Sequence, residues 1–129
     1  MAKNSRTAIL VVEDEPLPRM DLADTLSNAG YEVLEASNAH EALGYLHHGH
    51  RVDVVITDID LGDDPTGWDV AEKFRAAREN IPIIYTSGTA GDRRRSVPGS
   101  VFFRKPFTPW DILKVCRGLG GPAVRQFEH

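Results

Sequence analysis

The chain has 129 residues, 41% of them hydrophobic and 26% charged, which is typical of one globular domain with a single core. Its formal net charge of −4 argues against general binding to nucleic acid. The one cysteine, Cys116, excludes an internal disulfide, and the first apolar run is too short for a signal peptide or a membrane span. We therefore expect a cytoplasmic protein with no membrane or nucleic-acid partner.

The first half of the chain predicts two strands and two helices in alternation. The apolar run AILVV at 8–12 is typical of a buried strand, and apolar residues at helical spacing over 17–29 predict a helix that a glycine ends. The alternating segment YEVLEA at 31–36 predicts a second strand. A second helix is expected over 38–49, because that segment opens with a capping-box pattern and closes on a glycine.

The second half predicts three strands and two helices. The run DVVIT at 53–57 indicates a third buried strand, and apolar residues over 70–77 mark a helix after an acidic loop. The runs IPIIY at 81–85 and SVFF at 100–103 predict the last two strands. The segment 108–121 predicts the last helix, since it opens with threonine and proline and ends in glycine.

This alternation of helices with continuously apolar strands predicts a parallel sheet covered on both faces. Five strands in this length suggest a doubly wound, flavodoxin-like α/β domain with strand order 2-1-3-4-5. The segment 86–100 is rich in Gly, Pro and charge, so the fourth crossover helix is expected to be short or irregular. We interpret residues 1–129 as one domain with a core at about 8–119 and a flexible tail at 120–129.

Polar side chains follow four of the predicted strands. Ligands of open parallel sheets bind beyond the carboxyl ends of the strands, so these residues form the candidate site. In chain order they are Glu13 and Asp14, Asp58, Thr86 and Ser87 with Gly88, and Arg104 and Lys105 with Pro106. Three acids, a hydroxyl and a lysine should therefore meet at one edge of the sheet.

The chemistry of this edge suggests phosphoryl transfer. Clustered carboxylates repel one another unless a cation or a proton intervenes, and oxygen ligands suit Mg²⁺ with retained waters. A carboxylate can also attack as a nucleophile and form an aspartyl phosphate. Asp58, which ends the central strand, is the best candidate nucleophile, and Asp14 is the candidate metal ligand with Glu13 beside it. Ser87 and Lys105 would hold phosphoryl oxygens.

Four segments, in this order, resemble the motifs of the receiver domains of two-component response regulators, which act in bacterial signalling. They are VVEDE, VVITDIDL, IIYTSG and FFRKPF, and the resemblance covers roughly residues 8–119. It implies that Asp58 accepts a phosphoryl group from a histidine kinase or phosphotransferase. It also implies that Asp14, Asp58 and the backbone carbonyl of Asp60 bind Mg²⁺, with Glu13 acting through water.

The resemblance implies further roles beside the phosphoacceptor. Ser87, followed by Gly88, matches the switch hydroxyl, and Lys105 matches the family's lysine. The bond from Lys105 to Pro106 matches the family's cis peptide. Phe102 stands where the family often has a switching aromatic, which would bury in the space that Ser87 vacates when it turns toward the phosphoryl group.

The sequence also departs from the family pattern. The loop IDLGDDPTG after Asp58 lacks the commoner early proline, and Ser87 and Lys105 are closer together than in many members. The chain ends just after the last predicted helix, which indicates a stand-alone receiver, monomeric or weakly dimeric. It would relay its phosphoryl group or switch the binding of an unidentified downstream protein.

Two alternatives remain open. The segment VVITDID resembles the Asp-x-Asp signature of haloacid-dehalogenase-type phosphatases, although theirs normally lies on the first strand. A receiver-fold interaction module that is never phosphorylated is the other. The receiver interpretation itself predicts no enzyme beyond self-phosphotransfer and slow autodephosphorylation.

Overall fold

The computed structural model describes residues 6–62, 64–89 and 91–119. Its five strands are β1 (Ala8–Val12), β2 (Glu32–Ala36), β3 (Val54–Asp58), β4 (Ile83–Ser87) and β5 (Val101–Arg104). The helices within these ranges are α1 (Pro16–Asn28), α2 (Ala39–His47), α3 (Gly67–Ala77) and α4 (Pro109–Leu119). All strand pairs are parallel and the order is β2-β1-β3-β4-β5, so the predicted doubly wound fold is confirmed.

The sheet separates two apolar layers. Strands β1, β3 and β4 are buried along their whole length, as their continuous apolar sequences require. On one face, α2 and α3 cover the sheet, and Phe74 and Tyr85 are the largest fully buried side chains of that layer. On the other face, α1 and α4 contribute Leu26, Ile112 and Cys116. Burial raises the pKa of the Cys116 thiol to about 12, which keeps it protonated.

The strand register brings the carboxyl ends of the central strands together. Asp58 at the end of β3 lies beside Thr86, and Ser87 at the end of β4 lies beside Arg104. The strand β4 covers 83–87, whereas the sequence predicted 81–85, so Ser87 belongs to the strand and does not follow it. The strand starts later because Pro82 has no N–H to donate to the sheet. Pro82 contributes only its carbonyl, which accepts a hydrogen bond from the Val55 N–H.

The described part of the connection from β4 to β5, residues 88–89 and 91–100, contains no helix, whereas the sequence predicted a short or irregular one. We call residues 91–100 the crossover strap. Its Arg95 forms ion pairs with Glu72 of α3, at 2.7 Å. The backbone N–H of Val97 donates to the buried Tyr85 hydroxyl, at 3.1 Å. The strap is therefore irregular in backbone but fixed to α3 and β4.

The ends of the last helix bear on two predictions. The helix α4 begins at Pro109 and is described as far as Leu119. The predicted end at 121 and the predicted tail at 120–129 lie outside the described residues. None of the described helices has the length and hydropathy that crossing a bilayer requires.

Candidate functional site

Asp58 is a buried carboxylate at the end of the central strand β3. It is 4% exposed. Its Oδ2 accepts a hydrogen bond from Lys105 Nζ at 2.8 Å, and its Oδ1 accepts from the backbone N–H of Asp60 at 3.2 Å. Burial raises the pKa of Asp58, although the hydrogen bond and charge of Lys105 oppose the rise. The predicted nucleophile and its predicted lysine are thus in direct contact.

Lys105 joins two acids at this edge. Its Nζ also donates to Glu13 Oε1 at 3.1 Å. Its backbone is held in place, because its N–H donates to the carbonyl of Ser87 at 2.8 Å. The bond that follows, to Pro106, is cis, as the resemblance implied. Burial works to lower the pKa of Lys105, but the hydrogen bonds to Asp58 and Glu13 outweigh it and raise that pKa. The ammonium group therefore stays charged where negative charge would accumulate.

Glu13, Asp14 and Asp58 form the acidic cluster of the site. Carboxylate oxygens from all three lie within 4.8 Å of one another. Glu13 and Asp58 are buried and Asp14 is exposed. Burial raises the pKa of Glu13, while its hydrogen bonds from the Glu15 N–H and Lys105 act against the rise. Converging, partly desolvated carboxylates fit a hard divalent cation such as Mg²⁺, which needs oxygen ligands and tolerates retained waters.

Asp60 lies two residues beyond Asp58, at the mouth of the site. Besides the hydrogen bond from its backbone N–H to Asp58, its side-chain Oδ1 accepts from the N–H of Gly62 at 3.2 Å. The residue is exposed. The hydrogen bond from the Asp60 N–H to Asp58 therefore holds the backbone of Asp60 at the acidic cluster.

Ser87 faces its own loop in this structure. Its Oγ donates to the carbonyl of Thr89 at 3.0 Å and accepts from the Thr89 N–H at 3.1 Å. Gly88 between them is exposed, and a Cβ there would meet nothing within 4 Å. The hydroxyl is thus at the predicted edge but bonded to the loop, a partner that the sequence did not indicate.

Phe102 is packed from both sides. Its ring centroid lies 5.3 Å from that of Tyr85 and 6.1 Å from that of Trp68. The guanidinium carbon of Arg93 lies 3.9 Å from the ring centroid, within the range of a cation–π contact. The ring is half-buried against the core while Ser87 bonds to Thr89. Its inward move after Ser87 turns stays a prediction.

Gly67 is a functional position that sequence reasoning missed. Its N–H donates to the carbonyl of Ile59 at 2.9 Å, and a Cβ at Gly67 would lie 2.0 Å from the Asp58 carbonyl oxygen. Only glycine permits α3 to begin so close to the phosphoacceptor candidate. The sequence does show a glycine directly after the helix-capping Thr66. It does not show that this glycine lies against the backbone of Asp58.

A cavity of about 290 Å³ opens beside Lys105. It lies between α1 and the loop that precedes α4, and its walls include Pro18, Leu22 and Phe107 together with Glu13. Leu17 and Trp110, each next in sequence to a wall residue, are 77% and 64% exposed. The acidic edge is therefore flanked by apolar side chains that face solvent.

The chain matches the family model of the response regulator receiver domain over residues 9–117. The transcriptional regulatory protein PdtaR of Mycobacterium tuberculosis is 33% identical over 109 residues, which cover 81% of this chain and 52% of that protein. The phyllosphere-induced regulator PhyR of Methylorubrum extorquens is 29% identical over 122 residues, covering 89% of this chain and 44% of that protein. The chain thus spans about half the length of these curated relatives.

Solved structures give the same answer. A response regulator receiver protein from Sinorhizobium medicae has a TM-score of 0.84 at 34% identity, with 88% of this chain and 94% of that chain covered. TrrA of Thermotoga maritima, solved in complex with Mg(2+)-BeF, has a TM-score of 0.74 at 28% identity, covering 88% of this chain and 98% of that chain. With the fold, the acidic edge and a family match over most of its length, the chain belongs to the response regulator receiver domain family.

Proposed function

We propose that Asp58 accepts a phosphoryl group from the phosphohistidine of a histidine kinase or phosphotransferase. The observation that carries this proposal is the 2.8 Å contact between Lys105 Nζ and Asp58 Oδ2 inside the acidic cluster. An oxygen of Asp58 attacks phosphorus in line, the P–N bond breaks, and its electron pair stays on the donor imidazole. Lys105 then neutralises negative charge on the transferred group.

The metal part of the proposal uses the oxygens of the same edge. Asp14, Asp58 and the backbone carbonyl of Asp60 would hold Mg²⁺ directly, and Glu13 would act through water. Bound Mg²⁺ would supply positive charge against the phosphoryl oxygens. The Mg(2+)-BeF complex of the similar TrrA supports this choice of ion. We place the reaction in the cytoplasm, where ATP charges such phosphodonors.

Ser87 and Gly88 would form hydrogen bonds to the phosphoryl group once Asp58 carries it. The Ser87 hydroxyl would exchange its bond to the Thr89 carbonyl for one to a phosphoryl oxygen, with the Gly88 N–H as a further donor. Loss of that bond would free the start of the connection to β5, where Thr89 lines one pocket with Phe102 and with Gly91 of the crossover strap. We propose that this shift changes the affinity of a downstream protein, or that the phosphoryl group is relayed, with the receiver acting as a monomer or weak dimer.

The phosphodonor would approach over the apolar rim. Leu17 and Trp110, each next in sequence to a wall residue of the cavity, offer exposed apolar area to a protein that must reach Asp58. The receiver fold is that of a signalling module and not that of a dehalogenase-type phosphatase. A silent interaction module is the remaining alternative, and phosphorylation distinguishes it.

The test is intact-protein mass spectrometry after incubation with Mg²⁺ and acetyl phosphate. We expect a gain of one phosphoryl group in the wild type and none in Asp58→Asn. Asp24→Asn, which neutralises an exposed carboxylate on α1 outside the site, is the control and should gain one phosphoryl group as the wild type does. Wild-type protein that gains nothing, from acetyl phosphate or from a panel of phosphorylated histidine phosphotransferases, would favour the silent module.

A further inference from the structure

Arg19, on the first turn of α1, reaches back to the acidic cluster. Its Nη1 donates to the backbone carbonyl of Glu13 at 3.0 Å, and its Nε donates to Glu35 Oε1 on β2 at 3.2 Å. The side chain is only 18% exposed, so the guanidinium is enclosed between the two acceptors. One planar fork therefore ties the acidic loop after β1 to the end of β2.

The carbonyl that Arg19 holds belongs to the peptide unit joining Glu13 to Asp14. The N–H of Glu13 is held as well, since it donates to the carbonyl of Ala36 at 3.0 Å. Because peptide units are planar, fixing both ends of Glu13 fixes where the Cα of Asp14 stands. Asp14 is exposed, so its own side chain gains little from packing.

We propose that Arg19 is a positioning residue that holds Asp14 and Glu13 in the geometry that binds Mg²⁺; this inference rests on the metal part of the proposed function. Without a metal ion, repulsion among the three carboxylates, with oxygens within 4.8 Å, favours opening of the cluster, and Lys105 pairs with only two of them. Arg19 opposes that opening through the backbone. Its side-chain hydrogen bonds go to the backbone carbonyl of Glu13 and to Glu35, and to none of the three carboxylates of the cluster.

The direction in which Arg19→Gln changes the affinity for Mg²⁺ distinguishes this positioning role from a purely electrostatic one. If Arg19 acted only as a positive charge near the cluster, Arg19→Gln would strengthen the attraction of Mg²⁺. If it positions the loop, Arg19→Gln weakens Mg²⁺ binding, because the carboxylates are no longer held in place. The loss of outer partners of metal ligands typically costs about 10-fold in affinity or more, and we expect about 10-fold here.

The experiment is calorimetric titration of the whole chain with MgCl₂ at fixed pH and ionic strength. The variants are Arg19→Gln, Arg19→Lys and the charge-matched control Arg117→Gln, which removes an exposed cation on α4 outside the candidate site. Lysine cannot reproduce the two-acceptor fork, so Arg19→Lys should bind Mg²⁺ with an affinity between those of the wild type and Arg19→Gln. Thermal unfolding of each variant checks that it is folded.

Weaker binding by Arg19→Gln, with wild-type binding by Arg117→Gln, supports the positioning role. Unchanged or tighter binding by Arg19→Gln overturns it, as does equal weakening by the control. If Arg19→Gln does not fold, wild-type affinity in Arg19→Lys overturns it. No Mg²⁺ binding by the wild type overturns it together with the metal site, whereas weakened binding in Arg19→Gln with no phosphorylation of Asp58 leaves it standing and removes the proposed function.

Discussion

The ammonium group of Lys105 donates hydrogen bonds to two carboxylates, to Asp58 Oδ2 at 2.8 Å and to Glu13 Oε1 at 3.1 Å. A phosphoryl group on Asp58 would place new negative charge beside this cation. The contact also explains how a buried acid with a raised pKa can serve as a nucleophile near neutral pH, because the lysine favours its ionised form. At the scale of single residues, the site thus depends on an ion pair across two strand ends.

Lys105→Met should slow phosphorylation of Asp58 by acetyl phosphate by about 100-fold, in the range found when one transition-state donor is removed. Mg²⁺ binding should be retained or tightened, because a competing cation leaves the carboxylates. The rate is followed by intact mass against time. Lys114→Met, an exposed lysine on α4, is the control and should keep the wild-type rate. A normal rate in Lys105→Met would contradict the role assigned to the ammonium group.

From the raised pKa of Asp58 we predict how the stability of the fold depends on pH in the absence of divalent ions. A carboxyl group whose pKa is higher in the folded state destabilises the fold once the pH exceeds its unfolded value and the group must ionise. Asp58→Asn should therefore raise the melting temperature at pH 7, and the gain should vanish near the unfolded pKa of about 4. Thermal unfolding in a chelating buffer measures it. If Asp58→Asn melted at a lower temperature than the wild type at pH 7, the raised pKa of Asp58 would be contradicted.

Two elements set the surroundings of the site. The first turn of α3 lies against the Asp58 backbone at Gly67, and the capping box of Thr66 and Asp69 fixes where that helix begins. Asp69 also accepts from Arg95 of the crossover strap at 3.0 Å. The helix that approaches the nucleophile is therefore also the helix to which the strap is fastened.

Gly67→Ala should destabilise the protein by about 1–3 kcal/mol, because the added methyl meets the Asp58 backbone and α3 or β3 must move. Gly44→Ala on α2 is the matched control, since a Cβ there meets nothing within 4 Å. It should stabilise by about 0.5–1 kcal/mol through helix propensity. Urea unfolding of both variants gives the two values. Equal effects would show that the close approach at Gly67 has no energetic consequence.

Arg95→Ala should loosen the crossover strap without unfolding the domain. Each exposed ion pair contributes little, but Arg95 bonds to both Asp69 and Glu72, and Val97 follows two residues later with its N–H on Tyr85. Hydrogen exchange at the Val97 N–H should therefore accelerate in Arg95→Ala. It should stay at the wild-type rate in Arg94→Ala, whose guanidinium pairs only with nearby Asp92 among the described residues. Equal exchange in both variants would contradict the anchoring role.

Across the whole molecule, the sequence predicted what periodicity and strand order control. The apolar runs located β1 and β3 closely, and their parallel order brought Asp58 and Lys105 to one edge. It could not predict contacts that only the tertiary fold creates. Arg19 on the Glu13 carbonyl and Gly67 against Asp58 have no local pattern. The predicted start of β4 at residue 81 was wrong, because the apolar run alone does not account for the missing N–H of Pro82.

The central claim is that Asp58 carries the phosphoryl group. The most direct measurement is borohydride reduction of the phosphorylated protein followed by peptide mass spectrometry, because reduction of an aspartyl phosphate leaves homoserine at the modified position. We predict homoserine at residue 58 and an unmodified Asp14 and Asp60. Homoserine at Asp14 or Asp60, or phosphorylated protein with no reducible acyl phosphate, would contradict the account.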